Sequence, residues 1–124
     1  MAFDLVLTAA RVVDPSQDLD RVTDVAFAGG KVAAVGDGLA KDAAVVRDCS
    51  GAIVTPGLID LHTHVYDGGT SLGVDPVALA ASSGTTTLVD AGSAGPGNFA
   101  GFRAHIIEPS PVRILAYLNI SFAG

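Results

Sequence analysis

The sequence predicts an α/β protein in two parts, a small β-sheet segment followed by the start of a parallel strand–helix repeat. Three observations carry this reading. Residues 1–54 contain short alternating apolar and polar runs punctuated by turn residues. From residue 53 the order becomes strand, loop, helix, strand, loop, helix, strand, the pattern of βαβ units and a parallel sheet. Between the two lies Thr55-Pro56-Gly57-Leu58-Ile59-Asp60-Leu61-His62-Thr63-His64, an apolar, strand-like run that ends in two histidines two residues apart.

Composition narrows the class. A chain of 124 residues, 49% of them hydrophobic, can bury a core and is not disordered. The formal charge of −6 argues against nucleic acid or an anionic membrane as partner. Cys49 is the only cysteine, so no disulfide forms within the chain, which fits a reducing, cytoplasmic setting. No apolar stretch reaches the ~20 residues of a membrane helix. Asp4 interrupts the apolar start, against a signal peptide.

In the first part, residues 3–8 alternate as a strand and residues 11–14 follow as another. Asp14-Pro15-Ser16-Gln17 reads as a turn. Residues 22–28 and 31–35 flank Gly29-Gly30, a hairpin turn. Residues 45–49 make a further strand, and Ser50-Gly51 turns the chain toward the histidine run. Strands this short suggest a small sheet or half a β-sandwich.

In the second part, residues 53–64 read as one near-continuous apolar strand, the kind buried on both faces. Period two puts Leu58, Asp60, His62 and His64 on one face, and Ile59, Leu61 and Thr63 on the other, toward packed helices. A loop over residues 66–73 leads to Asp75-Pro76, an N-cap and first-turn proline, with Gly84 placed to end the helix. Residues 85–90 form the second strand and residues 91–97 a Gly-rich loop. Asn98 caps a helix through Ile107 with Phe99, Phe102 and Ile106 on its apolar face. Residues 112–120 form the third strand. His64, Asp90 and Asn119 then fall near the carboxyl ends of strands, where α/β barrels place active sites.

Two imidazoles on one strand face can share a divalent cation, which would offset the cost of holding them in a strand interior. The competing reading is two ordinary histidines. Asp60 is placed as an outer-shell hydrogen-bond partner. Asp90 either contacts substrate or bonds a neighbouring loop. The Asn119 carboxamide suits a substrate carboxylate or carbonyl. Gly92 and Ser93 either bring backbone close to a ligand or serve the turn alone.

The run from Ile53 to His64 resembles the first barrel strand of the amidohydrolase superfamily. That pattern is an apolar pair, then Pro-Gly-x-Ile-Asp-x-His-x-His, and every position matches. Gly84-Thr85-Thr86-Thr87-Leu88-Val89-Asp90 resembles the second strand of the dihydroorotase, hydantoinase and deacetylase branch. Asp90-Ala91-Gly92-Ser93-Ala94 with Leu118-Asn119-Ile120-Ser121 is most similar to its amidohydrolase/deacetylase subgroup.

The resemblance implies a (β/α)8 TIM-like barrel beside a small β-sandwich, with residues 1–54 in the sandwich and residues 55–124 supplying the first three barrel strands. It implies one or two divalent metals, most often zinc, held in part by His62 and His64. Substrate contacts would fall to Asn119, Asp90 and Ser93. The implied reaction is hydrolysis of an amide, cyclic amide or ester in a small molecule by a metal-activated water, in a homo-oligomeric enzyme. The family's remaining ligands, a carboxylated lysine or glutamate, two histidines and an aspartate that serves as general base, lie on later strands. Lys31 and Lys41, the only lysines, both sit in the first part. A whole barrel takes ~250 residues, so the chain is expected to be the N-terminal portion of a longer enzyme and inactive alone. The alternatives are a non-catalytic association module and a metal-binding module without hydrolysis.

Overall fold

A computed structural model describes residues 2–124. The chain divides into two units, one ending at Pro56 and the other running from Gly57 to Gly124.

The first unit is a mixed sheet. Its strands are β1 (Phe3–Asp14), β2 (Leu19–Ala28), β3 (Lys31–Gly36), β4 (Ala43–Asp48) and the short β5 (Ile53–Val54). They lie in the order β3-β2-β1-β4, with β5 also on β1. The hairpin pairs β1–β2 and β2–β3 are antiparallel, whereas β4 and β5 run parallel to β1. Residues 3–8 and 11–14, expected as separate strands, are one strand with a bulge. Ala9 sits at φ 57°, the register shifts between Leu7 and Ala10, and the Ala9 N–H donates to Asp24 Oδ1 at 3.2 Å. Ala10, Val12 and Val25 form a buried apolar cluster, and Val6 and Ala26 are buried as well.

The expected continuous strand over residues 53–64 is two strands. Ile53–Val54 pairs with Arg11 and Val12 in the first sheet, and the next strand begins only at Leu58. Pro56 explains the break, because it has no N–H to offer a ladder.

The second unit contains β6 (Leu58–Thr63), α1 (Pro76–Ser83), β7 (Thr85–Ala94), α2 (Phe99–Phe102) with a π-helical turn over Arg103–Ile107, and β8 (Arg113–Leu118). The strands form a parallel sheet in the order β6-β7-β8. The first helix has the termini its sequence specifies. The Asp75 carboxylate accepts from the N–H groups of Val77 and Ala78 at 2.7 and 3.2 Å, and Gly84 closes the helix at φ 69° with its N–H on Ala80 O. One face of the sheet is covered. Leu88, Val65 and Ile114 pack with Phe102, and Leu79, Phe99 and Ile106 add to them from the helical segments. Tyr66 stacks on Phe102 with centroids 4.6 Å apart.

Three expectations are corrected here. The strand β7 continues through Ala94, where a loop was expected from residue 91. The Asn98 side chain caps no helix N–H. Its Oδ1 accepts from Gly95 N at 2.9 Å and its Nδ2 donates to Ala123 O at 2.8 Å, so it ties loop to chain end, and the helix it precedes is one turn that widens into π geometry. The face assignment also fails: Ile59 and Leu61 do share a face, but it is the open one, while Leu88, paired beside Asp60, turns to the helices. Ile59 and Leu61, expected against helices, are 59% and 71% exposed and line an open cavity of about 380 Å³ with Val89, Leu115 and Tyr117. Thr63 is buried, and its hydroxyl donates to Val89 O at 3.0 Å.

Among the described residues no helix is long and apolar enough to cross a membrane. Removing the Asp75 cap by Asp75→Ala leaves two first-turn donors without their acceptor and is expected to lower stability by about 1 kcal/mol, read as a shift in a urea melt.

Candidate metal and substrate site

The sequence places both histidines at the carboxyl end of β6, His62 within it and His64 just after it. His62 is exposed and His64 half-buried, with ring centroids 5.5 Å apart and planes at 71°. Two imidazoles on adjacent corners of a tetrahedron, with metal–nitrogen bonds of about 2.0–2.1 Å, have centroids roughly 5 Å apart. The observed separation is close to that value. His64 Nδ1 lies 2.9 Å from Ser93 Oγ. In the tautomer whose Nδ1–H donates to that hydroxyl, Nε2 keeps its lone pair for a cation. Asp60 Oδ1 accepts the peptide N–H of His62 at 3.0 Å, so this carboxylate braces the backbone of one histidine. Among the described residues no group of three His, Cys, Asp or Glu side chains is placed to hold a metal, so His62 and His64 stand as a pair.

Beside the pair is a cavity of about 290 Å³ lined by His64, Thr70, Leu72, Gly92, Ser93 and Asn119 among others. The structure thus brings His64, Ser93 and Asn119 together. Asn119 reaches the cavity with both ends of its carboxamide bonded. Nδ2 donates to Gly92 O and Oδ1 accepts from Ser121 N, each at 2.9 Å. The remaining amide hydrogen and lone pairs stay available to a ligand. Gly92 lies at φ 95°, a left-handed conformation that calls for glycine, while a Cβ there would make ordinary contact with Asn119.

Asp90 is fully buried and does not line this cavity. Its Oδ2 accepts from Val65 N at 2.8 Å, and its Oδ1 from Gly92 N and Ser93 N at 3.1 and 2.6 Å. One carboxylate thus holds the residue after His64 and the residue that touches His64. Thr70 was not singled out in the sequence, where it is one hydroxyl in a Gly-rich loop. Its Oγ1 is buried without a hydrogen-bond partner on the cavity wall, and only the fold reveals that.

Asp90→Asn replaces one acceptor oxygen by a donor facing peptide N–H groups. It is expected to cost about 2–3 kcal/mol, as for a buried hydrogen bond to a charged group left unmade. Urea unfolding measures this, and a loss below ~0.5 kcal/mol, the usual size for an indifferent surface change, would contradict the clamp.

No family model matches the chain. The chain is similar to a deacetylase of Agrobacterium fabrum, with 51% identity over 104 residues that make up 82% of this chain and 26% of the relative. It is 43% identical over 89 residues to a dihydroorotase of Geobacter sulfurreducens, covering 68% of this chain and 21% of that protein. Among solved structures, a dihydroorotase crystal structure superposes with a TM-score of 0.84 at 44% identity, over 95% of this chain and 31% of its own. The chain spans about a quarter of the length of curated relatives that it matches, 26% of the Agrobacterium protein and 27% of a deacetylase of Brucella anthropi.

Proposed function

From the premise that this chain corresponds to the N-terminal portion of amidohydrolase-superfamily proteins, we propose that it supplies the first two metal ligands and part of the substrate pocket of a metal-dependent hydrolase. The bond cleaved is an amide, cyclic amide or ester in a small molecule. The observation that carries this reading is the His62–His64 pair at 5.5 Å, with His64 Nδ1 already engaged by Ser93.

In this reading β6, β7 and β8 are the first three strands of a (β/α)8 barrel, and the uncovered side with Ile59, Leu61, Leu115 and Tyr117 is its interior. The covering of the opposite face by helical segments, and the position of both histidines at the carboxyl end of β6, support the assignment.

His62 and His64 hold the cation, zinc in this reading, and Asp60 steadies His62 through its peptide N–H. When bound, a divalent cation supplies Lewis acidity that polarises a carbonyl and activates water. The chain's own groups orient the substrate. Asn119, held at both ends, presents its free amide hydrogen to a carbonyl or carboxylate from a fixed position, which limits the ordering cost of binding. Thr70 Oγ1, buried and unpartnered, is a second polar group on the same wall. Leu72 and Ala91 give that wall apolar surface against the substrate body. No general base is assigned among the described residues.

The test is His62→Ala and His64→Ala in the intact protein, with metal content by elemental analysis beside hydrolysis of amide and ester substrates. Each change is expected to weaken metal binding by more than the 10–100-fold typical of an outer-shell loss, and to lower activity in parallel. Unchanged metal stoichiometry in both variants would refute the ligand assignment.

A further inference from the structure

The contact between His64 and Ser93 connects two strands and is held from both sides by one buried side chain. Ser93 is 5% exposed, and its hydroxyl stands 2.9 Å from His64 Nδ1. Its own peptide N–H donates to Asp90 Oδ1 at 2.6 Å. Just past the end of β6, the N–H of Val65, next in the chain after His64, donates to Asp90 Oδ2 at 2.8 Å. The backbone on each side of the contact is therefore pinned to the same carboxylate. Gly92, at φ 95°, lets the chain curl so that Oδ1 also takes the Gly92 N–H.

An imidazole has two nitrogens, and a hydrogen bond at one decides what the other can do. A serine hydroxyl can donate or accept. If it donates to Nδ1, the ring proton sits on Nε2 and that nitrogen cannot bind a cation. If it accepts from Nδ1–H, Nε2 has a free lone pair.

Resting on the metal reading above, we propose that Ser93 is a positioning residue for His64 rather than a substrate contact. Its Oγ accepts the Nδ1–H of His64 and so fixes the tautomer and ring orientation that present Nε2 to a divalent cation. Asp90 holds the donor's strand and the acceptor's strand in the register the contact needs. Among the described residues the Ser93 hydroxyl is the group at hydrogen-bond distance from His64 Nδ1.

The experiment uses the intact protein, first without metal. Long-range ¹H–¹⁵N spectra of the histidine side chains should place His64 in the Nδ1–H form. Ser93→Ala should shift it toward the Nε2–H form, with a melting temperature within a few degrees of the parent. Chelator competition should then show zinc affinity falling 10–100-fold in Ser93→Ala, and Ser93→Thr, which keeps a hydroxyl, should recover both signals. A wild-type His64 in the Nε2–H form overturns the proposal whether or not any variant folds. So does a Ser93→Ala protein with wild-type tautomer and zinc affinity. A wild-type protein that binds no zinc would defeat the metal reading, and the tautomer spectra, recorded without metal, keep the two failures apart.

Discussion

The arrangement around the histidines depends on the buried carboxylate of Asp90. A charge with no solvent access is tolerated only when its lone pairs are met, and here three peptide N–H groups meet them. The same bonds join the end of β6 to the bulged end of β7. The register slip between Asp60 and Thr63 and the shift between Asp90 and Ala94 both lie beside this clamp. His64 meets Ser93 there, and both line the cavity that Asn119 also lines. The candidate site thus lies where regular pairing stops, and the clamp holds the two segments together there.

The sheet has two unlike faces, and their difference organises the second unit. Leu88, Phe102 and Val65 are fully buried on the helical side. Each contributes about 1.5–3 kcal/mol by leaving water, enough to fix which way β7 faces. On the other side Ile59, Leu61 and Tyr117 stand largely exposed. A sheet with one packed face and one open apolar face has its position set by the first. The histidines gain a rigid support from this division without being part of the core.

Much of the fold was legible where local chemistry decides it. Asp75, Pro76 and Gly84 specify the ends of α1 within a few residues, and the structure follows them. Gly29-Gly30 likewise specifies the β2–β3 hairpin, both glycines at positive φ. The strand–helix alternation announced a parallel sheet. What failed was set by partners distant in sequence. Period two tells which residues share a face but not which face the helices cover, so it mistook the side taken by Ile59 and Leu61. Asn98 has the chemistry of a cap, yet Gly95 and Ala123 compete for it and win. Thr70 and the His64–Ser93 contact involve loops that only folding brings together.

The account rests on an ion held by His62 and by Nε2 of His64. Anomalous diffraction at the zinc edge, from crystals of the intact protein grown with zinc, tests this most directly. The account predicts a peak about 2.0–2.1 Å from His64 Nε2, at the same distance from a ring nitrogen of His62, with Ser93 Oγ still on Nδ1. A peak on His64 Nδ1, or zinc bound only away from this pair, would contradict it.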